Sequence, residues 1–128
     1  MPGISSNIDD RTLHELYLWP FADAIRSGTT SIMCSYNMVN GTYACENDKL
    51  LNQILREEMG FEGYVMSDWF AIHSTDSVNA GLDMDPPGVI ERDYLETGES
   101  YFGANITEGI KNGKITEERK QSLLHVHC

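Results

Sequence analysis

The chain is short of positive charge. Nine Lys and Arg stand against twenty Asp and Glu, a formal net charge of −11 over 128 residues. A surface so acidic repels phosphate backbones and anionic lipid, which sets aside nucleic acid and membrane surfaces as partners. Long apolar runs are missing, so nothing reads as a bilayer span. The opening Met1-Pro2-Gly3-Ile4-Ser5-Ser6 has neither a basic patch nor an apolar stretch and does not read as a signal peptide. Cysteine is scarce, at Cys34, Cys45 and Cys128. The ending His125-Val126-His127-Cys128 holds metal-ligand types, but at a chain end it reads as a frayed terminus. No metal and no organic cofactor is expected.

What is present reads as ordinary globular material. Hydrophobic residues make up 41% and charged residues 23%, which suits a folded domain and not a disordered tail. The length allows one small domain with a real core. Two features point outside the cell. Asn40-Gly41-Thr42 and Asn105-Ile106-Thr107 match the N-glycosylation acceptor pattern. Cys34 and Cys45 flank a turn-rich segment and could close a small disulfide loop, the alternative being free thiols. Export features without an export signal suggest a piece of a longer secreted protein.

Along the chain, Asp9-Asp10 reads as a helix start. Leu13, Leu16 and Tyr17 recur at helical spacing, Pro20 interrupts, Phe21, Ala24 and Ile25 resume, and Gly28 stops the pattern. His14 and Glu15 read as a helix face and not as catalytic groups. Thr30–Tyr36 is a strand candidate, and Asn37–Ala44 a loop marked by Asn40-Gly41. Asn47-Asp48 opens a helix whose apolar stripe is Leu50, Leu51, Ile54, Leu55 and Met59, ended by Gly60. Gly63–Ser67 is a second strand, Ser74–Ala80 a short helix, and Leu82-Asp83-Met84 a third, very short strand. Pro86-Pro87-Gly88 breaks the chain. Val89–Tyr101 is a polar loop in which Glu91, Glu96 and Glu99 read as solvated. Helices follow at Phe102–Ile110 and from Thr116, which stands where a capping residue would. Alternation of this kind argues an α/β fold with a parallel sheet. Three such units are few for a doubly wound domain and fit the last three βα units of an incomplete (β/α)8 TIM barrel.

Gly63-Tyr64-Val65-Met66-Ser67-Asp68-Trp69 is the stretch that carries chemistry. Tyr64, Val65 and Met66 suit a buried strand, whereas an ionised carboxylate buried without partners is costly. Asp68 is therefore expected at the strand's carboxyl end, the edge where α/β proteins bind ligands. The competing reading makes Asp68 the cap of a following helix.

Three stretches then resemble the fungal branch of glycoside hydrolase family 3, the β-glucosidases. They are Ser5–Phe21, with His14-Glu15-Leu16-Tyr17-Leu18-Trp19-Pro20 at its centre; Ser31-Ile32-Met33-Cys34-Ser35-Tyr36-Asn37; and Gly63–Trp69 followed by Ala80-Gly81-Leu82-Asp83-Met84. The match runs from about Ser5 to Arg119. It departs from the family at Asp85-Pro86-Pro87-Gly88, where Met-Pro-Gly is usual. The resemblance implies a retaining hydrolase that releases terminal β-linked glucose in cellulose and oligosaccharide breakdown. It implies a small β-glucoside or cello-oligosaccharide as the substrate partner, secretion, and a barrel domain followed by an α/β sandwich domain. At Asp68 the family carries its catalytic nucleophile. The tyrosine matched by Tyr36 contacts that nucleophile, the methionine matched by Met33 lines the glucose pocket, and the tryptophan matched by Trp69 flanks the leaving-group side.

These roles make chemical sense. A retaining hydrolase needs an ionised attacker and a separate acid. A neighbouring donor such as the Tyr36 hydroxyl favours the ionised carboxylate. An aromatic face beside a sugar gives apolar contact at little entropy cost. The resemblance also implies that the acid/base glutamate lies beyond the position of Cys128, and the hydroxyl-gripping Lys-His pair and arginine before Ser5. Residues 1–128 are thus expected to be part of the barrel domain without the sandwich domain. The alternative to an enzyme segment is a truncated, inactive remnant that at most binds sugar or a partner chain.

Overall fold

The structure is a computed structural model that describes residues 3–90 and 98–125. It opens with β1 (Ser5–Ser6) and a helical run of three pieces. Asp9 caps that run, its carboxylate accepting the Thr12 amide at 2.9 Å and the Thr12 hydroxyl at 2.7 Å. Helix α1 (Asp10–Thr12) widens into a π-type stretch over Leu13–Tyr17 and ends at Leu18, whose amide reaches back five residues to the Leu13 carbonyl. Helix α2 (Trp19–Arg26) then restarts with Pro20 in its first turn, where a missing N–H leaves nothing unpaired.

Strand β2 (Ser31–Cys34) is shorter than the expected Thr30–Tyr36. Just beyond it the Ser35 hydroxyl bonds the Asn37 side chain at 2.7 Å, a local bond that turns the chain out of the sheet. The segment expected as a plain loop holds a hairpin, β3 (Met38–Val39) and β4 (Thr42–Tyr43). Asn40 and Gly41 both take left-handed φ, 51° and 83°, as a two-residue hairpin turn requires. Strand β1 pairs with β3 in parallel.

Helix α3 (Lys49–Glu58) buries Leu51, Ile54 and Leu55, the stripe legible in the sequence. Strand β5 (Tyr64–Ser67) runs parallel to β2, matching Ile32 to Val65, Met33 to Met66 and Cys34 to Ser67. Gly63 precedes it at a place with no room for a side chain, since a Cβ there would strike the Thr30 carbonyl. The expected third strand, Leu82–Met84, is reduced to one parallel bridge between Met66 and Met84. The next ladder bond in that register would come from residue 86, and Pro86 has no amide hydrogen to give. The short helix expected at Ser74–Ala80 is a single 3-10 turn, Thr75–Val78. Helices α4 (Ala104–Lys111) and α5 (Glu117–His125) follow, with the Thr116 hydroxyl accepting the Arg119 amide at 3.2 Å. Glu91 and Glu96, and Val126, His127 and Cys128 of the terminal cluster, lie outside the described residues, while Glu99 is exposed.

The two faces of the small sheet differ. Val65 and Cys34 share the core with Leu51, Leu55, Phe61, Ala71, Ile72 and Leu82, and Ser67 is buried on the same face as Val65. Met33, Met66 and Met84 alternate with them along one row of the register and face the other way. Met33 is 56% exposed and Met84 38%. On the helix side Asp83 is fully enclosed and holds three elements together. It accepts Arg56 of α3 at 2.6 Å, the Val65 amide of β5 at 2.8 Å and Arg119 of α5 at 2.8 Å.

The apolar stripe of the first helices is less covered than its periodicity suggests. Leu13 is buried, whereas Leu16, Tyr17, Trp19 and Phe21 are exposed. Part of this face borders an open apolar groove of about 220 Å³ with Ile32, Met33 and α3.

Candidate active site

Asp68 is the first residue after β5, and its amide donates to the Cys34 carbonyl at 3.1 Å, so it caps the paired strands at their carboxyl edge. A tight turn follows. The Ala71 amide donates to the Asp68 carbonyl at 3.1 Å, and the Trp69 amide to the Asp68 Oδ1 at 2.6 Å. At its third position Phe70 has φ +61°, strained backbone for a bulky side chain. That conformation is held from outside, because the Phe70 amide donates to the Pro86 carbonyl at 3.1 Å. Among the described residues no regular helix starts at this point, so the capping reading of Asp68 gives way to a turn.

Tyr36 comes from the corresponding end of β2. Its phenol is held above its ordinary pKa, first by loss of solvent and then by the Asp68 carboxylate that it faces. Tyr36 and Trp69 remain open to solvent, and Met33 stands on the same exposed face as Met66. Asp68, Tyr36 and Trp69 thus follow the carboxyl ends of β2 and β5, with Met33 on the exposed face one residue before the end of β2. The arrangement can hold a polar ring-shaped ligand against Trp69 while presenting a carboxylate oxygen to it.

Immediately behind lies a second carboxyl. Asp85 is nearly buried, 8% exposed, and its Oδ2 has no hydrogen-bond partner. Burial raises its pKa to about 6. In the sequence Asp85 marks only a departure from the family's pattern. Neither it nor Asp83 is recognisable there as a buried carboxyl, since the arginines that hold Asp83 are distant in the chain. The only sequence signal is an acidic residue on each side of Met84 in an otherwise apolar stretch.

The other expected positions are placed as follows. Cys34 and Cys45 are joined, with the sulfurs 1.99 Å apart, and the bond closes the loop that contains the hairpin. Asn40 is exposed at the hairpin turn, and its side chain clasps the Ile8 backbone at 2.8 and 3.0 Å. Asn105 is exposed in the first turn of α4 and lines a polar hollow of about 350 Å³ with Asp76, Glu108 and Lys114. That hollow includes none of Met33, Tyr36, Asp68 or Trp69. His14 lies on a helix face, with Nδ1 donating to the Asp10 carbonyl at 2.7 Å and Nε2 to Glu58 at 3.1 Å. Glu15 pairs with Arg11 at 2.9 Å. Among the described residues no three His, Cys, Asp or Glu side chains are grouped to hold a metal ion. None of the described helices is long and apolar enough to cross a membrane.

Known proteins share this sequence and shape. Residues 3–126 match the family described as Glycosyl hydrolase family 3 N terminal domain. The chain is 52% identical over 124 residues to a probable beta-glucosidase G of Neosartorya fischeri, which covers 95% of the chain and 15% of that protein. It is 54% identical over 122 residues to a probable beta-glucosidase A of Aspergillus flavus, covering 94% of the chain and 14% of the relative. The solved structure of a family 3 beta-glucosidase from Neurospora crassa superposes with a TM-score of 0.87 at 50% identity, covering 94% of the chain and 14% of that structure. The chain therefore spans about one seventh of the length of proteins it matches almost end to end. With the match running through 124 of its residues, the chain belongs to glycosyl hydrolase family 3 and falls within that family's N-terminal domain.

Proposed function

We propose that the chain supplies the nucleophile segment of a secreted, retaining β-glucosidase. Residues 1–128 would be part of a (β/α)8 barrel, contributing its last three βα units, with an α/β sandwich domain elsewhere in the longer protein. Asp68 is the nucleophile, and Tyr36, Met33 and Trp69 contact the sugar. The observation that carries this reading is Asp68 and the Tyr36 phenol facing each other at the shared carboxyl edge of β2 and β5.

The chemistry follows from that pairing. The ionised Asp68 attacks the anomeric carbon of a terminal β-glucoside as a separate acid protonates the departing oxygen. A glucosyl ester forms and water then releases glucose. The Tyr36 donor keeps the attacking carboxylate oriented, and Trp69 offers a flat apolar wall to the leaving group. Cello-oligosaccharides fit such a site, and the acceptor asparagines Asn40 and Asn105 would carry glycans in a secreted protein. The names of the matched relatives, which are β-glucosidases, support the same reading.

The test places residues 3–126 into a full-length family 3 β-glucosidase in exchange for the matching segment. A 2-deoxy-2-fluoro β-glucoside with a good leaving group forms the ester and hydrolyses it slowly. Mass spectrometry should find the glycosyl label on the peptide that holds Asp68, and Asp68→Ala should prevent labelling. A label on another carboxylate overturns the assignment.

A further inference from the structure

Ser67 and Asp85 are neighbours in the sheet. The parallel bridge joins Met66 to Met84, made by the Met84 amide on the Val65 carbonyl at 3.1 Å and the Ser67 amide on the Met84 carbonyl at 2.9 Å. One step further in that register sets Ser67 opposite Asp85. Both lie on the helix side, since Ser67 shares a face with Val65 and Asp85 shares one with Asp83. Ser67 is fully buried, and its Oγ, like the Asp85 Oδ2, has no hydrogen-bond partner. Two enclosed and unpartnered polar atoms side by side are unusual, because each is costly alone.

We propose that Ser67 and Asp85 form one buried polar pair that positions the Asp68 turn from behind. Side chains directly opposite on paired strands stand within hydrogen-bonding reach, so rotation of the Ser67 hydroxyl turns its proton toward the Asp85 carboxylate. The pair sits between the two backbone bonds that fix the turn, Ser67 to Met84 on one side and Phe70 to Pro86 on the other. Its charge state therefore bears on how Asp68 and Trp69 are held, which makes Ser67 and Asp85 positioning residues. The charged groups around it are otherwise committed. Arg56 of α3 and Arg119 of α5 are bound by Asp83, Glu46 accepts from His73 and Ser74, and Asp68 faces Tyr36 across the sheet edge. Among the described residues neither of these arginines pairs with Asp85. Proton loss there draws water toward the carboxylate and loosens the Met84–Pro86 segment that clamps the turn.

This inference rests on the reading of Asp68 for its effect on catalysis, but the pair itself is tested without it. In the full-length chimera, melting temperature is followed from about pH 4 to pH 8. Unfolded Asp ionises near its ordinary value and folded Asp85 only near 6, so stability should fall across that interval and level off above it. Asp85→Asn should flatten this fall, and Ser67→Ala, which removes a donor to the carboxylate, should extend it upward by on the order of one pH unit. Asp85→Ser provides the same readout if the asparagine variant does not fold. The basic limb of kcat/KM should move with each substitution as stability does. If the asparagine and serine variants fall with pH as the parent does, the pair is refuted, whatever Asp68 does. If they flatten while Asp68→Ala keeps activity, the pair stands and the nucleophile assignment fails.

Discussion

At the scale of single residues, Tyr36 and Asp83 show two different uses of a carboxylate's partners. The Tyr36 phenol faces Asp68 in a half-open setting, where it would orient the proposed nucleophile and add little to folding. Removing that donor by Tyr36→Phe in the chimera is expected to lower kcat/KM by about 10²-fold, with the melting temperature nearly unchanged. Steady-state assays on a nitrophenyl β-glucoside measure it. Asp83 is the opposite case, enclosed and bound to Arg56, Arg119 and the Val65 amide. Asp83→Ala leaves two arginines facing each other without an anion and should cost about 3 kcal/mol in denaturant unfolding. Asp68, Tyr36, Met33 and Trp69 stand out in the sequence because a family pattern marks them. Asp83 does not, because its role exists only after α3, β5 and α5 have met.

At the scale of elements, local chemistry decided what hydrophobic spacing could not. The Asn40-Gly41 pair between Met38-Val39 and Thr42-Tyr43 closes a hairpin inside the expected loop, with each strand only two residues long. The third strand shrank to a bridge because Pro86 cannot continue the ladder. Helices α1 and α3 are tied by His14, whose two ring nitrogens both face acceptors and so suit the imidazolium. Its pKa is raised above 6.5, mainly by the Asp10 carbonyl and then by Glu58. The sign follows directly. The tie contributes fully below the ordinary imidazole range and is lost as pH rises through the raised value. The melting temperature of His14→Ala should therefore lag the parent most near about pH 5.5 and little near about pH 8.5. An equal gap at both values would remove the tie.

At the scale of the whole molecule, the chain presents apolar surface that its own residues leave open. Leu16, Tyr17, Trp19 and Phe21 stand exposed on the helices, and the Met33–Met66–Met84 row lines the bare side of the sheet. Patches of this kind mark surfaces that a larger assembly covers. The family's acid is expected outside these 128 residues, and a nucleophile without its acid expels a poor leaving group slowly. The isolated polypeptide is therefore expected to self-associate in size-exclusion chromatography and to show no saturable β-glucosidase activity. Saturable turnover lost in Asp68→Ala would contradict this.

The sequence by itself determined the family, the strand that ends at Asp68, and the amphipathic helix Lys49–Glu58, because these depend on local spacing and short motifs. Tertiary structure alone decided the burial of Asp83 and Asp85 and the exposed side of the sheet. Each of those depends on which distant groups come within bonding range, and a linear pattern carries no record of that.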